Sequence, residues 1–210
     1  MIKKSILCLL LATPSFYSSA DVLLGGDIEV NAWQQDYFYN NQDRGDDVTY
    51  TLEASLEHPI PLIPNVKYAR SEANASSFEY TKQDFTLYYE ILDNDLVSFD
   101  IGAGLTRLSN GRLNNQSFNG SLPHIYAATE IGLPTTPIFF FAKGSGISYS
   151  DTEMYDVSAG IQYAIGLGLM DLELQLGYRV QHFNVKDFDD LSTRLDTETK
   201  GFYGGVNLDF

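Results

Sequence analysis

Along most of this chain, side chains switch between apolar and polar at every second position, and that period constrains the fold more than any other feature. From Val48 the even positions read Val48, Tyr50, Leu52, Ala54 and Leu56, while the odd ones read Thr49, Thr51, Glu53, Ser55 and Glu57. From Asp171 one face is Leu172, Leu174, Leu176, Tyr178 and Val180, against Asp171, Glu173, Gln175, Gly177, Arg179 and Gln181. Val97, Phe99, Ile101, Ala103 and Leu105 alternate with Ser98, Asp100, Gly102, Gly104 and Thr106. A helix would scatter these positions around its axis and leave no apolar stripe, whereas a strand sends them to opposite faces. Segments of about nine to eleven residues with this pattern suit the strands of a membrane barrel, apolar toward lipid and polar toward the lumen.

The pattern predicts an all-β chain, a transmembrane antiparallel up-and-down β-barrel of ten strands. They fall near 22–33, 47–57, 65–73, 79–91, 96–107, 122–132, 138–149, 154–165, 171–183 and 198–210. One set of connections is mostly long, polar and acidic (34–46, 75–78, 109–121, 150–153 and 184–197). The other is short and rich in turn formers (58–61, 93–95, 133–137 and 166–170). Long outer loops and short periplasmic turns are the habit of outer-membrane barrels. Two strands are weakly patterned. In 65–73 charges fall on both phases, Lys67 on one and Arg70 and Glu72 on the other, and Ile138-Phe139-Phe140-Phe141 is apolar on both faces. An eight-stranded barrel with a long excursion is the alternative.

Residues 1–20 form an expected signal peptide, with Lys3 and Lys4 before an apolar run and Ser18-Ser19-Ala20 at the cleavage site. The barrel domain is then 21–210, and Cys8, the single cysteine, leaves with the leader, so no disulfide is expected. The full chain carries 13 basic and 28 acidic residues, a net charge of -15, which repels nucleic acid. A mean hydropathy of -0.15, with no apolar run of membrane length, excludes an ordinary helical membrane protein. An exported, acidic, aromatic-rich chain points to the bacterial outer membrane. Outer-membrane lipids and lipopolysaccharide would be its surroundings, with the chain a monomer.

The last strand ends on Phe210, and Phe202, Val206 and Leu208 share its phase. This resembles the C-terminal signal by which bacterial outer-membrane proteins reach the barrel-assembly machinery, where an unpaired edge strand would offer main-chain hydrogen bonds. Gly25-Gly26, the run Leu87-Tyr88-Tyr89-Glu90-Ile91-Leu92-Asp93-Asn94, Asp100-Ile101-Gly102, Leu122-Pro123 and Phe210 together resemble a family of small proteobacterial Gly-Gly outer-membrane β-barrel proteins. The resemblance implies the barrel and the outer membrane. It implies no activity and no catalytic residue.

Little chemistry is legible. Barrel enzymes that act on lipid or peptide mostly need a histidine beside Ser, Asp or Glu, and only His58, His124 and His182 are available. His58 falls in a turn and His182 at an interface. His124, on the lumen phase with Ser117 and Ser121 close in sequence, is the remaining candidate for a lipid-modifying enzyme. Its nearest carboxylate on the strand, Glu130, is about 20 Å away. The non-enzymatic reading is favoured, with no cofactor and no metal. Asp36, Asp43, Asp46 and Asp47, and Asp187, Asp189, Asp190 and Asp196, lack the spacing of a calcium loop and are expected to be solvated. Tyr37-Phe38-Tyr39 is expected in an interfacial aromatic girdle rather than at a partner site.

The lumen is the informative region. The phases put Glu29, Glu53, Arg70, Lys143 and Arg179 near mid-height, and Asp27, Glu57, Glu90, Asp100, Glu130, Glu173 and Asp209 toward the periplasmic end. Buried charges must be paired or wetted. Two readings follow: a Glu–Arg/Lys plug above a wet acidic vestibule, or residues that only fill and solvate a narrow interior. A narrow or plugged envelope barrel is the leading function, and a narrow cation-preferring channel is the alternative.

Overall fold

The computed structural model describes residues 25–60, 62–94 and 96–210. The expected leader 1–20 lies outside the described residues. Ten antiparallel strands close into a single barrel: β1 (Asp27–Tyr39), β2 (Gln42–Leu56), β3 (Asn65–Asn74), β4 (Phe78–Asn94), β5 (Val97–Leu113), β6 (Gln116–Gly132), β7 (Ile138–Tyr149), β8 (Thr152–Gly166), β9 (Asp171–Val185) and β10 (Leu195–Asp209). Each strand pairs with its sequence neighbours, and β10 returns to β1 from Asp27↔Asp209 to Tyr39↔Thr197. Closure gives every strand a partner on both sides, although two seams pair over only part of their length.

The period-2 pattern places the apolar side chains outward. Ile28, Val30, Leu52, Phe85, Leu87, Ile101, Leu105, Ile161, Leu174, Leu176 and Val206 are all exposed on the wall. The band stops where outward side chains turn polar. Arg70, Gln83, Arg107 and Ser121 form one paired row across β3 to β6 just beyond it. That depth corrects the expected place of Arg70. It is exposed on the outer face, beside Glu72 at 2.5 Å, because a charge beyond the apolar band is free to face water. Lys67, deeper in the same strand, takes the lumen phase instead.

All five outer connections are shorter than expected. β1 and β2 run on to a two-residue turn at Asn40-Asn41, whose φ values of 50° and 59° fit the type I′ hairpin that asparagine tolerates. β5 and β6 likewise continue to a turn at Asn114-Asn115, where Asn114 has φ 53°. These extensions rise above the apolar band, where the alternation reverses: apolar side chains such as Tyr37, Leu108 and Phe118 turn inward, and outward ones such as Asp36 and Arg112 are polar. Only the segment between β9 and β10, residues 186–194, is a loop of some length.

Two seams of the barrel are short. β2 meets β3 only from Leu52↔Arg70 to Leu56↔Val66, and β6–β7 pairing ends at Ile125↔Gly146. At the first seam, lumen side chains of β1 replace the missing ladder: Gln35 Nε2 donates to the Glu72 carbonyl (3.0 Å), and the Asn74 N–H donates to Tyr37 Oη (3.2 Å).

Candidate functional site in the lumen

The barrel interior has three storeys. The uppermost, at the end away from Phe210, is apolar. Tyr37, Phe78, Tyr80, Leu108, Phe118 and Phe183 are buried there in one cluster, joined by Phe188 and Leu191 from the 186–194 loop. Phe118 meets Phe188 edge-on at 5.9 Å, and Tyr80 meets Phe183 edge-on at 5.6 Å. Each such buried ring contributes about 1.5–3 kcal/mol of transfer free energy. Tyr37 and Tyr39 therefore belong to this core, not to a girdle; only Phe38 faces outward, with the Lys200 ammonium over its ring at 4.4 Å. The inward phase of β1 runs Glu29, Asn31, Trp33, Gln35, Tyr37, Tyr39, so the strand's period already pointed there.

The middle storey is ionic and arranged as two clusters. In the upper one, Arg179 grips Asp156 through two bonds of 2.7 Å, Lys82 reaches Asp156 at 2.8 Å, and Lys82 also bonds Asp84. Gln181 and Thr106 add donors to Asp156 (3.0 Å) and Asp84 (2.7 Å). The Arg179 guanidinium lies 4.8 Å over the ring of Trp33, whose Nε1 donates to the Gly201 carbonyl at 3.2 Å. In the lower cluster, Lys143 bridges Glu29 and Glu53, each at 2.8 Å, and the Lys67 ammonium stands as an ion pair 2.7 Å from the other oxygen of Glu53. Both clusters hold two acids and two bases, so neither leaves a net buried charge. Charge-assisted bonds of this kind are strong only when every partner is present.

Of the expected mid-height set, Glu29, Glu53, Lys143 and Arg179 face the lumen and Arg70 does not. Sequence reasoning missed Lys67, Lys82, Asp84 and Asp156 as network members. Counting back from Glu90 by twos through Tyr88 and Thr86 reaches Asp84 and Lys82, so the signal for those two was present in the strand period.

The lowest storey is a cavity of about 390 Å³ at the end that bears the chain terminus. Asp27, Glu57, Glu90, Asp100, Glu130, Glu173 and Asp209 all line it, with Asp93 added to the expected set. Tyr88 donates to Glu57 (2.8 Å), Asn65 to Glu90 (3.1 Å), and Gln162 to both Glu130 (2.6 Å) and Glu173 (3.0 Å). Burial, with the Glu90 and Asp27 carboxylates nearby, pushes the Glu57 carboxyl, one residue past the end of β2, up to about 7.

The histidines occupy dissimilar places. His58 follows β2, its backbone N–H bonded to Asn65 at 3.2 Å. His182 stacks on Tyr155 on the outer wall at 5.0 Å. His124 is 2 % exposed, clamped between Thr86 (2.9 Å to Nε2) and Thr106 (3.0 Å to Nδ1). The expected serine partners fail on phase: Ser117 and Ser121 are exposed on the opposite face of β6. Through Thr106 the ring instead joins Asp84, as part of the ionic storey. Among the described residues no group of His, Cys, Asp and Glu is arranged to hold a metal ion. On β10, Phe202, Val206 and Leu208 face outward, and Phe210 closes the strand through paired bonds to Gly26 (2.8 and 3.0 Å).

No protein-family model matches this chain, and no curated protein sequence is similar to it. Three solved outer-membrane barrels share the architecture. Neisserial surface protein A is 15% identical, with 88% of this chain and 97% of that one covered and a TM-score of 0.39. The outer membrane protease OmpT of Escherichia coli is 8% identical, covering 89% and 96%, with a TM-score of 0.47. Ail, the attachment invasion locus protein of Yersinia pestis, is 12% identical, covering 89% and 98%, with a TM-score of 0.35. These are likenesses of barrel architecture and extend to nothing else.

Proposed function

We propose that this chain is an integral barrel of the bacterial outer membrane that is closed to through-passage and serves the envelope without catalysing a reaction. The apolar band on the outer wall, rimmed by Arg70, Gln83, Arg107 and Ser121, supports the membrane setting. Outer-membrane lipids and lipopolysaccharide would surround a monomer, with the termini toward the periplasm. The outward row Phe202, Val206, Leu208 and the terminal Phe210 suit recognition by the barrel-assembly machinery during insertion.

The observation that carries the closed reading is the upper storey: a contiguous aromatic and aliphatic core, completed by Phe188 and Leu191, stands across the lumen above two neutral ionic clusters. Ions crossing this barrel would have to displace both. The refolded protein is therefore expected to leave a planar bilayer electrically silent. Steady openings in that recording would reject the closed reading. The acidic lower cavity favours the second reading, a narrow cation-preferring channel; in that case Glu53→Gln should alter the selectivity of those openings.

The setting of His124 supports a structural part, since its ring nitrogens are engaged by threonines inside a packed lumen. His124→Ala should leave lipid A and phospholipid mass profiles unchanged. It should lower unfolding stability by about 1–3 kcal/mol through unmet partners. A changed lipid profile at unchanged stability would revive the lipid-modifying enzyme.

A further inference from the structure

We propose that the cavity at the terminus-bearing end of the barrel is a binding cup for a small linear polyamine, a flexible chain carrying several spaced ammonium groups. Ten carboxylates and two lysines stand on its wall. Both lysines are spent on Glu29 and Glu53 at the roof. The other eight carboxylates pair with no lysine or arginine among the described residues.

The hydrogen-bond census points the same way. Every side-chain nitrogen donor on the wall already serves an acceptor of that wall. Asn207 Nδ2 donates to Asp27 and Glu173 (2.9 Å each), Gln162 Nε2 to Glu130 and Glu173, and Gln175 Nε2 to Gln162 (3.2 Å). What remains is a surplus of acceptors. Gln175 and Asn207, 8% and 6% exposed, stand on the wall with side-chain oxygens that no donor meets. Unmet buried acceptors are costly, and a ligand rich in N–H donors and positive charge supplies what both the acids and these amides lack.

The spacing selects among cations. The carboxylates ring a space of about 390 Å³, and no three converge as a metal ion's ligands must. A single hard ion would satisfy one side of the cup, whereas ammonium groups spread along a chain can reach opposite walls. The inference does not depend on whether the barrel conducts. A conducting barrel that binds polyamine would sink the closed reading and leave this one standing.

The test is calorimetric titration of spermidine into the refolded barrel in zwitterionic detergent, at low and at moderate salt. The expected result is one saturable site that weakens with added salt. Glu130→Gln/Glu173→Gln should weaken it about tenfold or more, while the loop pair Asp187→Asn/Asp190→Asn leaves it unchanged. Heat-modifiable gel mobility verifies folding of each variant. If the first pair does not fold, Glu57→Gln/Asp100→Asn takes its place with the same expectation. Non-saturating heat, equal weakening by the loop pair, or magnesium binding as tightly as spermidine would each overturn the proposal.

Discussion

Asp156→Ala is expected to cost the folded barrel about 3–5 kcal/mol, the range for removing one partner from a buried ionic group. The reason is the sharing. Asp156 is the acceptor for Arg179, Lys82 and Gln181 at once, and its loss leaves Lys82 with Asp84 alone and takes from Arg179 its ion-pair partner. Urea unfolding of the refolded protein, read by gel mobility and tryptophan fluorescence, measures the loss; the single Trp33 lies against Arg179 and reports on this cluster. A charge-balanced double variant, Lys82→Met/Asp84→Leu, should lose less than Lys82→Met alone, because it leaves the Asp156–Arg179 pair neutral. If the double variant is the worse of the two, charge balance is not what holds the middle storey together.

Gly201→Ala is the second large effect, and it acts on closure. A Cβ at Gly201 would stand 1.9 Å from the Gln34 carbonyl oxygen, on the seam where β10 meets β1. Backbone cannot yield there as the end of a flexible side chain could, and the Gly201 carbonyl also receives the Trp33 indole N–H. We expect a cost of about 3 kcal/mol, the upper end for overpacking, seen as a reduced folded fraction on refolding. Gly204→Ala on the same strand is the control, since the nearest atom there is 3.7 Å away. Equal folding of the two variants would show that the close approach at Gly201 is readily relieved.

How far the sequence could be read depends on depth in the barrel. Within the apolar band, one face must be apolar and the other polar, so alternation is strict and strands such as β8 and β9 are legible nearly to their ends. Above the band the phases exchange, apolar side chains turning inward and polar ones outward, so the membrane-strand pattern stops. The hairpin of β1 and β2 past Gln34, and that of β5 and β6 past Arg107, therefore look like loops until their cross-strand pairs are seen. Arg70 and Lys67 show the same effect inside one strand. Three residues apart, they lie on opposite phases, and only the height of the band relative to β3 says which charge must be neutralised inside.

The lower cup was the most legible part of the site, because acids recurring on the inward phase near strand ends must share one end of the lumen. The ionic storey was half legible, since period locates a side chain on a face but does not say which strands stand opposite. Lys82 meets Asp156 across 74 positions of sequence, and Lys143 meets Glu29 across 114.

By itself, then, the chain determined that it would be an antiparallel barrel, of ten strands with eight as the alternative, with lipid-type residues outward and an acidic lower interior. These follow from a period of two repeated until the sheet can close. The tertiary structure alone decided which charges neutralise one another and that the upper lumen is filled by rings and a returning loop. It also decided that His124 is clamped rather than paired with a serine. Those outcomes depend on the shear and stagger that bring distant strands to one height, and no local pattern encodes that quantity.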